Sequence, residues 1–227
     1  MSRIWDISQP LHAAVPVWPG EPAFALHSHA VIGDGCPVNV GGMSTPLHAG
    51  THGDAPLHYA NDGASSADCD LDPYIGPCVL LDVRHARGRV EIGDIDWTAI
   101  EGAERVLLRT YQHFPHDQWD SDFTAIASEV IARPGSMGVR LIGTDAASLD
   151  PEQSKTLDAH QAVKAADMRI LEGLVLDDVS PGRYELVALL DNASGLRQGG
   201  SVTVAGQLAG TVKSIEFLPI DEDTARD

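Results

Sequence analysis

The stretch around which this chain is organised is Pro46-Leu-His48-Ala-Gly50-Thr51-His52-Gly-Asp54-Ala-Pro56-Leu-His58. Three imidazoles and one carboxylate fall at positions 48, 52, 54 and 58, in a chain with ten histidines. Imidazole and carboxylate are side chains that bind divalent metals. The stretch therefore predicts a metal site; the alternative is a set of solvated loop histidines near Asp54.

An extended segment is predicted here rather than a helix. Glycines and prolines oppose a helix, and only His48 and His52 have the i, i+4 spacing that shares a helical face. The stretch is therefore not the helical HExxH motif of zinc proteases. All four polar positions are even, so an extended chain kinked at Gly50 and Pro56 would point them to one side. We expect one short segment to bring the four groups together.

The same residues resemble HxGTHxDxPxH, the signature of the cyclase-like metal hydrolases, whose best-known members are the bacterial kynurenine formamidases, or arylformamidases. The resemblance continues through residues 5–8, 17–20, 37–40, 154–160 and 170–177. It covers residues 4–189, most of the chain. It implies a swivelling β/β/α fold that forms homodimers.

Composition limits the class of partner. The 227 residues fit one larger domain, and a formal net charge of −18 argues against nucleic acid and anionic membranes. The three cysteines, Cys36, Cys69 and Cys78, form no CxxC pair and suggest neither a disulfide framework nor a thiolate zinc site. No signal peptide is evident, and no apolar run approaches the ~18 residues of a membrane span. We expect a cytoplasmic protein.

The pattern of strands and helices predicts an α/β domain with a mixed sheet flanked by helices. Apolar runs at residues 78–83, 105–110 and 139–145 predict buried strands. Residues 93–101 and 125–132 predict the helices between them, the second stopped by Pro134-Gly135. Residues 37–45 predict a strand that leads into the metal stretch.

After residue 190 the chain departs from the family. Residues 202–217 show some strand-like alternation, and residues 221–227 are charged and are expected to be disordered. We divide the chain into a cyclase-like metal hydrolase domain, residues 1–190, and a divergent C-terminal segment, residues 191–227. No metal-ligand match lies beyond that boundary.

Two later residues gain a role from the resemblance. His160 lies in the first turn of a helix whose predicted N-cap is Asp158, and Glu172 opens a strand predicted at residues 173–177. Taken alone, His160 would be a surface helix residue, and Glu172 either a solvated strand end or a carboxylate in need of a partner. They match the two remaining metal ligands of the family.

The resemblance implies two divalent metal ions in each subunit. His48 and His52 would hold one ion and His160 the other. The carboxylates of Asp54 and Glu172 would be shared, because a carboxylate has two oxygens and can bridge. Imidazole and carboxylate ligands without thiolate fit zinc, and ligand type does not exclude manganese or iron.

The remaining site residues are His58 and Trp18. The resemblance leaves His58 without a metal and free for proton transfer, a task suited to histidine near neutral pH. Trp18, beside a Pro-Gly turn, is by sequence equally a core residue or a pocket wall, and the resemblance implies contact with an aromatic substrate. Asp145, at a predicted strand end, either orients a ligand or loop or caps a turn.

These features predict a metal-dependent amide hydrolase. Metal-activated water needs no serine or cysteine nucleophile, and the chain has no GxSxG motif. The resemblance implies an arylformamidase that converts N-formyl-L-kynurenine and water to L-kynurenine and formate in tryptophan degradation by the kynurenine pathway. The alternatives are a related hydrolase of another small molecule, such as the cyclic amide isatin, and a non-catalytic metal-binding protein.

Overall fold

The computed structural model of the chain describes residues 3–187, 201–204 and 207–211. The chain forms two compact units, Met1–Ala188 and Leu189–Asp227. The elements of the first unit are β1 (Ala25–Ala30), β2 (Val40–Ser44), β3 (Ile75–Asp82), β4 (Arg89–Val90), β5 (Arg105–Arg109), β6 (Ala125–Ile126), α1 (Ser128–Ser136), β7 (Leu141–Thr144), α2 (Asp158–Ala165), β8 (Arg169–Leu171) and β9 (Gly182–Val187).

The second unit contains an antiparallel pair, β10 (Ser201–Val204) and β11 (Gln207–Thr211). Both strands overlap the alternation predicted at residues 202–217. The disorder predicted for residues 221–227 lies outside the described residues. The boundary drawn at residue 190 stays a prediction.

A five-stranded mixed sheet is the centre of the first unit, in the order β8-β7-β5-β3-β9. Strands β3, β5, β7 and β8 are parallel, and β9 runs antiparallel to β3. The apolar runs of β3 and β5 are buried on both faces of the sheet, as is typical of parallel strands. The predicted α/β class is confirmed.

The two faces of the sheet have separate cores. Val79 and Leu81 of β3 pack with residues of α1 and α2, whereas Leu80 faces the opposite side. That second face is covered by Leu174 and Leu176, which lie in an irregular segment. Helices α1 and α2 therefore flank the same face, and loop residues cover the other.

The helix predicted at residues 93–101 is wrong. This connection between β3 and β5 contains a short 3-10 turn, Ile92–Asp94, and further turns. Its aspartates bind nearby backbone instead: Asp94 accepts a hydrogen bond from Glu91 N, and Asp96 accepts one from Thr98 N. Such local side-chain bonds compete with a helix.

The other helices are shifted from their predicted limits. Helix α1 begins at Ser128 rather than residue 125, because Ala125 and Ile126 pair with β4, and it continues through Pro134 to Ser136. A proline so close to the C-terminal end of a helix disrupts few helical hydrogen bonds, because few backbone bonds follow it. Among the described residues, no helix has the length and apolarity that crossing a membrane requires.

The predicted N-cap of α2 is also wrong. The cap is Leu157, whose φ of 51° is left-handed, and Asp158 is the first helical residue. The carboxylate of Asp150 instead accepts hydrogen bonds from the N–H groups of Ala159 and His160, both at 3.0 Å. A residue from the preceding loop therefore satisfies the start of the helix.

Replacement of Leu108 by alanine tests the core. This β5 side chain is fully buried between Leu81 of β3 and the adjacent strand β7. Leu108→Ala should lower the free energy of unfolding by about 2–5 kcal/mol, because it leaves a cavity. Urea denaturation measures the loss. Leu71→Ala, at an exposed leucine, should change stability by less than about 0.5 kcal/mol. Equal changes in the two variants would contradict this description of the core.

Candidate metal centre

The stretch 46–58 is folded around Asp54 rather than extended, so the predicted extended geometry is wrong. A turn at residues 47–48 is followed by a bend, and Pro56–His58 form a 3-10 turn. An extended chain rises about 3.3 Å per residue, which would spread positions 48 and 58 over about 33 Å. The turns bring their side chains together instead.

Main-chain bonds hold this stretch against the end of the central sheet. His52 N donates to Glu172 O at 3.1 Å, and Glu172 N donates to His52 O at 2.9 Å. Beside this bridge, the Thr51 hydroxyl donates to the carbonyl of Gly173 at 2.6 Å. The strand predicted at residues 173–177 is wrong, because β8 ends at Leu171 and Glu172 pairs with His52 instead.

Two glycines make this contact possible. Gly50 and Gly173 both have left-handed φ, of 66° and 64°. A Cβ on Gly173 would lie only 2.7 Å from the carbonyl oxygen of Gly50. The two backbones thus approach at a distance that a side chain would prevent.

Five side chains form the His/Asp/Glu cluster, namely His48, His52, Asp54, His160 and Glu172. On one side of the cluster, Asp54 Oδ1 lies 3.4 Å from His48 Nε2 and 3.6 Å from His52 Nε2. His52 Nε2 also lies 3.4 Å from Glu172 Oε2. One oxygen of each carboxylate therefore faces His52, and that oxygen of Asp54 also faces His48.

The other carboxylate oxygens face His160. Its Nε2 lies 3.2 Å from Asp54 Oδ2 and 3.7 Å from Glu172 Oε1. Asp54 and Glu172 are 1% and 2% exposed, so their charges are almost fully removed from water. The cluster thus has two halves, and each carboxylate contributes one oxygen to each half.

Asp150 holds the ring of His160. His160 Nδ1 donates to Asp150 Oδ2 at 2.6 Å, which leaves Nε2 facing Asp54 and Glu172. A carboxylate on the far nitrogen commonly orients a metal-binding histidine. Sequence reasoning missed Asp150, because ten residues separate it from His160 and no local spacing pairs them.

In the metal-free protein, electrostatics favour a neutral imidazole at His48 and a charged imidazole at His160. Burial lowers the pKa of His48 to about 4, although Asp54 opposes the shift. Burial also opposes charge on His160, but its bonds with Asp150 and Asp54 outweigh this and raise the pKa to about 10. Metal binding to His160 Nε2 would therefore release a proton.

The buried atoms of the cluster fit a divalent metal. His52 Nε2 and Asp54 Oδ1 are buried and have no hydrogen-bond partner among the described residues. An unpaired buried polar atom costs about 1–3 kcal/mol. Ligands bound tetrahedrally at about 2.1 Å lie about 3.4 Å apart, close to the spacings within each half. A metal ion would therefore satisfy atoms that the protein leaves unpaired.

His58 lies at the edge of the cluster. Its Nε2 is 4.0 Å from Asp54 Oδ2, and its side chain is 40% exposed. Its ring centroid lies 4.1 Å from that of His48. His48, Asp54 and His58 are also close enough to hold an ion together, so geometry alone permits either a ligand or a proton donor.

An aromatic cleft adjoins the cluster. It opens to solvent, and it is lined by Trp18, Tyr111, Phe114 and Trp119 together with His48 and His52. The ring centroids of Trp18 and Trp119 are 5.2 Å apart. Trp18 therefore forms a wall of the cleft and also packs on other aromatic rings. Its environment combines features of the two alternatives, a pocket wall and a core residue.

Sequence reasoning missed most of this cleft, although a signal was present. Residues 111–123 contain a third of the phenylalanine, tyrosine and tryptophan residues of the chain. Asp145 anchors this segment: it accepts hydrogen bonds from Thr110 N at 2.8 Å and from Tyr111 N at 3.0 Å. Of the roles considered for Asp145, the geometry agrees with orienting a loop.

Comparison with known proteins identifies relatives along most of the chain. The model of the putative cyclase family matches residues 5–151. The kynurenine formamidase of Sphingopyxis alaskensis (strain DSM 13593 / LMG 18877 / RB2256) is 87% identical over 189 residues, which cover 83% of this chain and 90% of the relative. That of Erythrobacter litoralis (strain HTCC2594) is 54% identical over 187 residues, covering 82% and 86%.

Solved structures agree with the fold. A potential metal-dependent hydrolase with cyclase activity matches with a TM-score of 0.71 at 29% identity, over 84% of this chain and 90% of the other. An isatin hydrolase bound to the product analogue thioisatinate matches with a TM-score of 0.67 at 19% identity, over 78% and 82%, a likeness of fold alone. The chain therefore belongs to the cyclase family of metal-dependent hydrolases and groups with its bacterial kynurenine formamidases.

Proposed function

We propose that this chain is an arylformamidase that hydrolyses N-formyl-L-kynurenine to L-kynurenine and formate in tryptophan degradation. The observation that carries the proposal is the His/Asp/Glu cluster beside an aromatic cleft in a chain 87% identical to a kynurenine formamidase. An aromatic formamide needs both a hydrolytic centre and a surface for its ring. The cleft and the cluster supply them side by side.

We further propose that the cluster holds two divalent ions, with zinc as the expected metal and manganese as the alternative. His48 and His52 would bind one ion, His160 the other, and Asp54 and Glu172 both. The support is the division of each carboxylate between the two halves. Metal ions bound there would supply Lewis-acid activation of water and of the formyl carbonyl.

The remaining steps use groups of the chain itself. Trp18 is proposed to contact the aryl ring, since its side chain lines the cleft with His48. His58 is proposed to donate a proton to the arylamine nitrogen as the C–N bond breaks, while the hydroxyl of water goes to the formyl carbon. Its exposed position at the edge of the cluster suits a group that exchanges protons with solvent.

A direct assay tests the activity. Purified protein is incubated with N-formyl-L-kynurenine, kynurenine absorbance is followed, and isatin is supplied in parallel at the same concentration. We expect kcat/KM for N-formyl-L-kynurenine to exceed that for isatin by at least about 100-fold, the size of a strong binding discrimination. A preference for isatin would move the chain to the cyclic-amide alternative. Metal bound without turnover of either compound would favour the non-catalytic one.

Asp150→Asn tests how the ring of His160 is held. Asparagine places an NH₂ group where the carboxylate now accepts bonds from backbone and imidazole N–H groups. Metal affinity should fall about 10–100-fold, the usual effect of losing such a partner. Chelator competition measures it, with the exposed Asp158→Asn as the matched control. Unchanged affinity in Asp150→Asn would show that Asp150 only caps the helix.

His58→Ala tests proton transfer. A positioned general acid contributes about 10²–10⁴ in rate, so kcat should fall within that range while metal content and melting temperature stay the same. The loss should be smaller for an aryl formamide whose amine leaving group is less basic. Loss of a metal ion would make His58 a ligand, and an undiminished kcat would remove it from the mechanism.

We also propose a homodimer, formed through the β1–β2 hairpin. Leu26 and Met43 face each other across the hairpin and are 73% and 59% exposed. Val31, Ile32 and Val38, in the connecting loop, are at least half exposed. An apolar patch of this kind commonly marks an interaction site, and a second copy of the chain is the partner that the family resemblance implies.

The double variant Leu26→Asp, Met43→Asp tests the dimer. Sedimentation velocity should show a dimer for the original chain and a shift to monomer for the variant, because a charge buried in an apolar interface is strongly unfavourable. Leu71→Asp, at an exposed leucine outside the hairpin, is the control. A monomeric original chain, or a variant that remains dimeric, would contradict the proposal.

A further inference from the structure

The aromatic cleft carries a negative charge that the hydrolytic step does not use. Apart from His48 and His52, the ionisable side chains that line it include Asp120 and Asp145. Among the described residues that line the cleft, none is lysine or arginine. The two carboxylates therefore line the cleft without a lysine or arginine among the other lining residues.

The carboxylate of Asp145 already accepts several hydrogen bonds from the protein. It is 2% exposed, and it accepts hydrogen bonds from the backbone of Thr110 and Tyr111 and from the Thr110 hydroxyl at 2.6 Å. Burial raises the pKa of Asp145, although these bonds oppose the shift. Its role is to hold the loop after β5.

The carboxylate of Asp120 can accept further hydrogen bonds. The half-buried carboxylate accepts one hydrogen bond from the Tyr111 hydroxyl at 2.9 Å and one from Asp122 N at 3.0 Å. An ionised carboxylate has about four acceptor positions, so two bonds leave room for another donor. Burial and the bond to Asp120 raise the pKa of Tyr111, so the phenol keeps its proton and continues to orient the carboxylate.

The position of Asp120 relates it to the aromatic walls. It directly follows Trp119, whose ring packs on Trp18 and whose Nε1 donates to Glu152 at 2.6 Å. The carboxylate is thus joined to a fixed aromatic wall. A ligand that carries a positive charge a few bonds away from an aromatic ring could place the ring on the walls and the charge at Asp120.

We propose that Asp120 is a specificity-determining residue that binds the ammonium group of a zwitterionic aryl formamide. The inference rests on the proposed function, because N-formyl-L-kynurenine carries an α-ammonium group on the side chain of its ring. Asp120 selects such amino-acid substrates over uncharged aryl amides. Tyr111 is the positioning residue that fixes its carboxylate.

The test compares a charged and an uncharged substrate in the same variants. Asp120→Asn keeps the shape and can still accept the bond from Tyr111. It should raise KM for N-formyl-L-kynurenine about tenfold, which corresponds to about 1.4 kcal/mol. KM for formanilide, which has no ammonium group, should change less than about twofold, and kcat for both should stay the same.

Two further variants separate charge from shape. Asp122→Asn removes an exposed carboxylate from the same loop and should change KM for neither substrate. Trp18→Ala should raise KM for both substrates, because both contain the ring. Melting temperatures confirm that each variant is folded. Equal effects of Asp120→Asn on the two substrates, or no effect on either, would overturn the proposal.

Binding of the product gives a readout without turnover. Calorimetric titration with L-kynurenine should show affinity for Asp120→Asn about tenfold below that of the original chain. If the original chain binds L-kynurenine through Asp120 but hydrolyses neither formamide, the proposed function fails and the ammonium site stands. If it hydrolyses N-formyl-L-kynurenine and Asp120→Asn binds the product equally well, the ammonium site fails alone.

Discussion

The paired backbone hydrogen bonds between His52 and Glu172 are the constraint on which the site depends. They join the stretch 46–58 to the residue that directly follows β8, so one bridge positions His52 and Glu172. Asp54 lies two residues beyond the bridge, facing the first turn of α2. Backbone geometry rather than side-chain attraction therefore brings the buried acids together, and the left-handed glycines at 50 and 173 permit the close approach.

This arrangement concentrates charge in a place that water scarcely reaches. Asp54 and Glu172 are almost fully buried; imidazoles face both carboxylates, and Leu149 N donates a hydrogen bond to Glu172 Oε1 at 2.7 Å. Desolvation of two neighbouring carboxylates is strongly unfavourable without compensation. In the metal-free protein the proton on His160 supplies part of this compensation. His52 Nε2 and Asp54 Oδ1 have no hydrogen-bond partner among the described residues. Divalent ions bound there would offset the cost of burying the two carboxylates, so that metal binding and folding would be coupled.

The sequence was most informative where the signal is local. The apolar runs of β3 and β5 marked the buried sheet, and the spacing of residues 48 to 58 marked a cluster that does converge on Asp54. Turns produce that convergence, and not the extended geometry that the spacing predicts. Local spacing could not pair Asp150 with His160 or Trp119 with Trp18, because tertiary packing sets both contacts. The helix expected at residues 93–101 does not form for a different, local reason, because aspartate side chains there accept hydrogen bonds from nearby backbone N–H groups.

Hydrolysis is expected to depend on the metal-binding capacity of the His/Asp/Glu cluster. The most direct measurement strips the protein with a chelator, titrates it with zinc, and follows hydrolysis of N-formyl-L-kynurenine at each step. We expect negligible activity in the stripped protein, a rise on addition of zinc, and a plateau at two equivalents per chain. Full activity in the stripped protein, or a plateau at one equivalent, would contradict it.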